Sequence, residues 1–462
     1  MLQKNEIYEA EITGMTTEGS GVCRIDGIAV FVPMTAVGDK LRVKIVKVLK
    51  NYAFGIIAEL TEPAQGRCEP DCPVFRQCGG CVFRHVTYEE ELRYKQDFVQ
   101  DAFTRIGKLS PEFEPILGDP NGREGYRNKA QYPVAMQDGR LVCGFYARHS
   151  HRVIPFTGCL LQPEGFAEIL EYLLPALQNA GVSAYDERTN TGLLRHIYLR
   201  RGYHSGETAL CFVVRKSIRR KVQHLLSGLQ SRFPELVSIT ENINPEKTNV
   251  ILGKTTQVIA GKPTISDTMC GNEIEISPQS FYQVNTAQAE RLYGIAKEYA
   301  QLTGGELLLD LYCGAGTIGL SMADGAGELI GAEVVPEAVE NAKENALRNG
   351  ITNAQFHCGD AGEIAQMLQK QGTAPDTVVL DPPRKGCDTP CIDAVAAMSP
   401  KCIVMISCNP STAARDAAAF AERGYAVEKV RAVDLFPGTS HVECVVLMSE
   451  IFHRTRSSFR KS

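Results

Sequence analysis

The chain has 462 residues, of which 44% are hydrophobic and 22% charged, with a formal net charge of −5. That length suits roughly two to four domains with real cores, and the mild acidity argues against a wholly basic nucleic-acid coat. There is no apolar stretch of membrane-spanning length and no apolar signal region at the N-terminus, so a cytoplasmic protein without a membrane partner is expected.

Residues 1–60 read as a small β-domain. Glycines at 14, 19, 21, 27 and 38 punctuate short strand-forming segments, and Lys40, Arg42 and Lys44 alternate with Val43 and Ile45 as on a half-exposed strand. These lengths fit a five-stranded barrel of the oligonucleotide-binding type, with Tyr52 and Phe54 after the basic strand as candidate base-stacking platforms. A plain barrel core explains the same pattern. Two further basic runs, Arg195 to Lys221 and Arg454 to Lys461, make an RNA partner plausible in a chain that is acidic overall. The first two runs are the candidate phosphate contacts.

Residues 61–279 form a second unit. It opens on a Pro- and Gly-rich loop carrying Cys68, Cys72, Cys78 and Cys81, four of the chain's sixteen cysteines. In a cytoplasmic protein such thiols suggest a metal site, iron–sulfur or zinc, rather than disulfides. A helix is expected over 88–106, then a mixed region with strands at 193–199 and 208–214. Residues 280–462 form the third unit. A helix is expected over 283–302, followed by strands at 307–311, 328–333, 355–358, 377–380 and 402–406 with helical spacers. That alternation predicts a doubly wound parallel sheet, closed by two further strands at 426–433 and 441–448.

The chemistry gathers at the strand ends of this third unit. Gly314-Ala-Gly316-Thr-Ile-Gly319 follows a strand and opens a helix, and Glu333 lies about twenty residues on, as at a dinucleotide site. A dehydrogenase is the first reading of that loop. S-adenosylmethionine needs the same backbone approach and the same ribose carboxylate. Two aspartates favour it: Asp310, able to face the amino group of methionine, and Asp360, able to read an adenine amino group. Helix capping is the bland reading of both. Asp381-Pro-Pro-Arg384 ends another strand. Cys408, in Ser407-Cys408-Asn409-Pro410, ends the next, where a strand-to-helix turn should lower its pKa. A thiol beside such a cofactor suits methylation at pyrimidine C5: addition to C6 makes C5 nucleophilic, and a base then removes the C5 proton. Glu443 in His441-Val-Glu443 is the candidate base, preferred to His441 because a shielded carboxylate can be raised in pKa.

Taken together with Ser280-Phe-Tyr-Gln283-Val-Asn285, these motifs give the chain a resemblance over its whole length. It resembles the RNA uracil-5-methyltransferases that carry an N-terminal TRAM barrel and an iron–sulfur cluster, most closely the bacterial 23S ribosomal RNA enzymes. The resemblance implies an OB-like barrel, a central α+β iron–sulfur domain and a C-terminal Rossmann-like class I methyltransferase. It implies S-adenosylmethionine contacts from Gln283, Tyr312, Glu333 and Asp381 beside Gly314, Gly316 and Asp360, with Cys408 as nucleophile and Glu443 as base. It also implies a [4Fe–4S] cluster on Cys72, Cys78, Cys81 and Cys159, leaving Cys68 spare, with a structural or RNA-positioning role. The expected product is 5-methyluridine in 23S rRNA, made by a monomer. A transfer-RNA uracil enzyme, a cytosine-5 RNA methyltransferase and an RNA-binding protein with a vestigial methylase domain are the competing readings.

Overall fold

The computed structural model describes residues 2–451, so the basic tail from Arg454 lies outside the described residues. The N-terminal barrel is a six-stranded sheet, one strand more than expected. The extra piece is the two-residue strand Gly14–Met15, too short to carry a period of its own. Inward residues such as Val30, Val32, Val43 and Ile45 are fully buried, which is the alternation the sequence shows.

The central unit is a seven-stranded sheet with helices Gly165–Asn179 and Arg219–Arg232 packed on one face. Tyr132, Val134, Leu199, Leu210 and Phe212 point into that helix-covered core. Alternate residues on the strand Lys129–Gln137 therefore face the other way, and Lys129 and Gln131 line a cleft there.

The third unit is an eight-stranded sheet whose strands are numbered here in chain order. They are β1 (Glu112–Leu117), β2 (Leu307–Leu311), β3 (Glu328–Glu333), β4 (Ala354–Cys358), β5 (Thr377–Leu380), β6 (Cys402–Ser407), β7 (Tyr425–Val433) and β8 (Glu443–Glu450). Their spatial order is β4-β3-β2-β5-β6-β8-β7-β1. Strands β2 to β6 are parallel to one another and β8 runs antiparallel between β6 and β7. Buried parallel strands carry near-continuous apolar runs because both faces are covered. Here Leu309 and Leu311 enter one core while Leu308 enters the other.

Two features differ from the sequence reading. The edge strand β1 comes from residues 112–117, in the stretch read as part of the middle unit, and pairs in parallel with β7. Its single Pro-interrupted segment, Glu-Phe-Glu-Pro-Ile-Leu, carries no periodicity that links it to strands three hundred residues later. The helix expected from 283 starts at Thr286, because the Asn285 side chain accepts the Gln288 amide and caps it. Gln283 is thereby left in the preceding loop.

Candidate active site

In an open parallel sheet, ligands bind beyond the carboxyl ends of the strands where the strand order reverses. Here the reversal falls between β2 and β5. A cleft of about 1170 Å³ opens there, lined by Gln283, Tyr312, Gly314, Glu333, Asp360 and Asp381 together with Cys408 and Glu443. Eight of the ten residues singled out for cofactor and catalysis thus share one cavity, without Gly316 and Asp310. Gly316 is the first exception. It sits in the left-handed region at φ 79°, and a Cβ there would crowd Leu320, Ala342 and Phe356 at 3.1–3.3 Å. It shapes the turn into the helix Thr317–Met322 rather than lining the cleft.

Asp310 also differs from expectation. It is buried inside β2 and absent from the cleft lining; its Oδ2 accepts the Gly319 amide at 2.9 Å. The carboxylate therefore ties the glycine loop to the following helix. Its Oδ1 has no partner, and burial pushes the carboxyl up to about 7. Asp360 caps the helix Ala361–Lys370 by accepting the Gly362 and Glu363 amides, yet remains exposed on the cleft wall. Glu333 accepts the amides of Gly314 at 3.1 Å and Val335 at 2.9 Å, so it braces the glycine loop from the next strand. Tyr312 holds φ 66°, unusual for a bulky residue and of the kind kept at ligand sites.

Strand direction explains why Cys408 and Glu443 meet. Cys408 follows the end of β6, and Ser407 is in register with Cys444 on antiparallel β8. Glu443, at the start of β8, therefore lies on the same sheet edge as Cys408. Its side chain is buried, and its carboxyl is pushed from 4.5 up to about 8, chiefly by burial and further by Asp381, against the pull of Arg384. Asp381 is half-buried at the end of β5, and burial drives its carboxyl up to about 7.

The Cys408 thiol corrects an expectation. Its pKa is raised, first by burial and then by the Glu443 and Asp381 carboxylates, while Arg384 works in the opposite direction. The helix Pro410–Ala421 does begin just beyond it, but Asn409 caps the Ser411 amide and burial outweighs the turn. Arg384 is a residue the sequence reading quoted without a role. Its carbonyl is held by Asn409 Nδ2 at 3.2 Å, and its side chain works on Cys408. Phe281, 73% exposed on the cleft wall, was quoted the same way. An aromatic stranded in a polar loop was the available signal. For Arg127 and Lys129, also on the wall, no sequence signal set them apart.

Two proposed phosphate contacts are not available. Arg195 and Arg200 are buried and spend their guanidinium groups on backbone carbonyls, of Asn244, Glu246 and Thr248 for the first and of Ser277 and Ser280 for the second. A run of charges on a chain says nothing about which members face inward. On the barrel, Lys40 and Arg42 pair with Glu62 and Glu59 at the surface.

Burial pushes the Cys159 thiol up to about 12, and Cys81, Cys78 and Cys72 push it the same way by repulsion. The Cys68 thiol donates to the Arg84 carbonyl at 3.7 Å. Thiols are the right kind of ligand for an iron–sulfur cluster. Among the described residues, no group of three or more His, Cys, Asp or Glu side chains is set to hold a metal ion.

Comparison with known proteins adds the family. The tRNA (Uracil-5-)-methyltransferase family profile matches residues 257–451, and the TRAM domain profile matches residues 2–58. A protein of Bacillus cereus described as an uncharacterized RNA methyltransferase is 42% identical over 451 residues, 97% of this chain and 98% of the relative. One of Halalkalibacterium halodurans with the same description is 41% identical over 448 residues, again 97% of this chain and 98% of the relative. Among solved structures, the Pyrococcus abyssi tRNA (uracil-54, C5)-methyltransferase in complex with S-adenosyl-L-homocysteine superposes with a TM-score of 0.76 at 25% identity, covering 96% of this chain and 100% of that one. Similarity that runs from the barrel to the last strand of the catalytic sheet leaves one conclusion: the chain belongs to the S-adenosylmethionine-dependent RNA uracil-5-methyltransferase family.

Proposed function

We propose that this enzyme methylates C5 of a specific uridine in 23S rRNA through a covalent bond between Cys408 and C6 of the base. The observation that carries the reading is the meeting of Cys408, Glu443 and Asp381 in the cleft that the glycine loop also lines. S-adenosylmethionine, held among Gln283, Tyr312, Glu333, Asp360 and Asp381, would supply the methyl group. Cys408, whose ionisation Arg384 favours against burial, adds to C6 and drives electron density onto C5, which would take the methyl group as its bond to the cofactor sulfur breaks, leaving C5 with both methyl and proton. Glu443 then takes the C5 proton, and electron return to the ring expels the thiolate. A carboxyl near 8 is a strong enough base for that proton while still ionising at working pH. Phe281 offers a stacking surface for the extruded base.

The test is RNA containing 5-fluorouridine, whose fluorine cannot leave as a proton. Wild-type enzyme should form a complex that survives denaturant, and Cys408→Ala should form none and should make no 5-methyluridine. Methylation or trapping by the variant sinks the adduct.

Transfer RNA is the second reading, favoured by the superposition on a tRNA enzyme along nearly the whole chain. Mapping 5-methyluridine in ribosomal and transfer RNA from a strain lacking this protein separates the two. A 23S site that loses its methyl group supports the first reading, and loss confined to tRNA supports the second.

A [4Fe–4S] cluster on Cys72, Cys78, Cys81 and Cys159 is a further part of this proposal, and it rests on the motif resemblance and on thiols being the right ligands. Protein purified without oxygen should be brown and carry about four irons and four sulfides per chain. Cys68→Ser should keep the colour and Cys159→Ser lose it. Stoichiometric zinc without iron would reverse the assignment.

A further inference from the structure

The central sheet carries a second cavity, of about 870 Å³, that the methyl-transfer chemistry does not use. It opens on the same strand, Lys129–Gln137, that walls the catalytic cleft. Lys129 and Gln131 line the cleft, and Ala135 and Gln137 line the second cavity. Val134 and Met136 line it as well, so the second cavity wraps the end of this strand, past the stretch that walls the catalytic cleft. From Gln131 to Ala135 is about 13 Å at about 3.3 Å per residue.

The cavity has a floor and a rim of different chemistry. On the floor, His196 and Arg195 are 7% and 6% exposed. His196 Nδ1 and Arg195 Nε have no hydrogen-bond partner, although buried polar atoms are nearly always paired. The Arg195 guanidinium lies over the Tyr185 ring at 4.6 Å. Burial and Arg195 push the His196 pKa down to about 4, which keeps its imidazole neutral and free to accept or donate one bond. On the rim, Tyr146 stacks on His151 with centroids 5.3 Å apart, and Tyr146 is still 38% exposed. Met136 and Val250 also stand out into solvent at 49% and 63%. Arg152 sits beside them as an exposed cation, while Arg188 lies against Asp186 at 3.6 Å and His151 against Glu187 at 2.9 Å, so two carboxylates share the rim. An aromatic platform over a buried imidazole with an unpaired nitrogen, beside an exposed arginine, suits a grip on single-stranded RNA: the base stacks, its edge is read, and a phosphate meets the cation.

We propose that this cavity is a second nucleotide site, which takes one unstacked base of the substrate RNA a few nucleotides away from the uridine in the catalytic cleft. The inference rests on the RNA-methylating reading above. It gives the central unit a part in substrate choice: the enzyme measures the spacing between two splayed bases. A duplex cannot present two such bases, so recognition would select a single-stranded loop.

The test uses the full-length protein with total RNA from a strain lacking it. Ultraviolet crosslinking followed by peptide mapping should find nucleotide adducts within residues 140–152 as well as at the catalytic cleft. Tyr146→Ala should raise KM for RNA about tenfold, the weight of one stacked base, leaving kcat and S-adenosylmethionine affinity unchanged. Tyr146→Phe, which keeps the ring, should restore wild-type KM. Val250→Asp, at an exposed position, should raise KM as well by placing a negative charge at the mouth. No adduct in 140–152 together with unchanged KM in both Tyr146→Ala and Val250→Asp overturns the proposal. Adducts in 140–152 without any 5-methyluridine would keep the site and remove the uridine-methylation reading instead.

Discussion

Glu443 shows how one side chain couples chemistry to stability. Its carboxyl moves from 4.5 to about 8 on folding, so the folded protein holds the proton more tightly than the unfolded chain does. The stabilising effect of that bound proton is complete below pH 4.5 and is lost as pH rises through 8. The proposed role as base needs the opposite protonation state, because a base must be ionised. The methylation rate should therefore climb with pH along an acid limb centred near 8, and the fold should weaken over the same climb. Glu443→Gln should cut kcat by about 10²–10⁴-fold, allow covalent complex to build up on ordinary RNA, and unfold at higher denaturant than wild type at pH 9. Near-normal turnover in this variant would remove Glu443 as the base. A variant no more stable than wild type at alkaline pH would show that the carboxylate finds relief in the cleft.

At the scale of elements, the active-site edge depends on a buried charge cluster that the sequence did not announce. Lys95, on the helix Tyr88–Asp101, is fully buried and bonds Glu91 and Asp434 at 2.7 Å each. Glu91 also accepts the Gly438 amide at 2.7 Å and pairs with Arg123. Residues 434–438 join β7 to the turn that leads into Glu443. The helix thereby pins the connection that sets where β8 begins. Removing one member of such a cluster leaves uncompensated buried charge, which costs about 3–5 kcal/mol. Lys95→Met should lower stability by about that amount in urea unfolding and should reduce kcat beyond what the residual folded fraction accounts for. Unchanged stability would mean that Glu91 and Asp434 simply share a proton.

Across the whole molecule, the barrel is docked to the body through a core of its own. Ala36 packs with Phe83, Val86, Tyr94 and Phe98, the Val37 amide donates to Tyr94 Oη at 2.9 Å, and Asp39 pairs with Arg67. Deleting residues 1–60 would bare that apolar seam, so truncation tests folding along with RNA grip. Point changes separate the two. Phe31, Tyr52 and Phe54 form an aromatic cluster on the barrel surface with centroids 5.6–5.9 Å apart. Lys47 is in register with Phe54 on the neighbouring strand. The double variant Tyr52→Ala and Phe54→Ala should weaken RNA binding at least about tenfold, flatten little of its salt dependence, and leave S-adenosylmethionine affinity as it was. Changing Lys44 and Lys47 to Gln should instead reduce the salt slope. Equal RNA affinity in all of these variants would leave the barrel without a substrate-binding part.

What the sequence determined by itself is local and chemical. Apolar runs of the right length located β2, β5 and β6 of the catalytic sheet almost residue for residue, because strands buried on both faces are near-continuously apolar, whereas the edge strand β4, Ala-Gln-Phe-His-Cys, fell in place from the strand–helix alternation. Short motifs at their ends located Gly314, Glu333, Asp381 and Cys408, because a turn after a strand is written in glycine and proline. Tertiary structure decided what depends on partners distant in the chain. It made β1 an edge of the catalytic sheet, buried Arg195 and Arg200, and withdrew Asp310 from the cleft. It brought Glu443 beside Cys408 by running β8 against β6. It also set the sense of the Cys408 shift, since a pKa follows from burial and neighbouring charge, and neither is carried by the four residues of the motif.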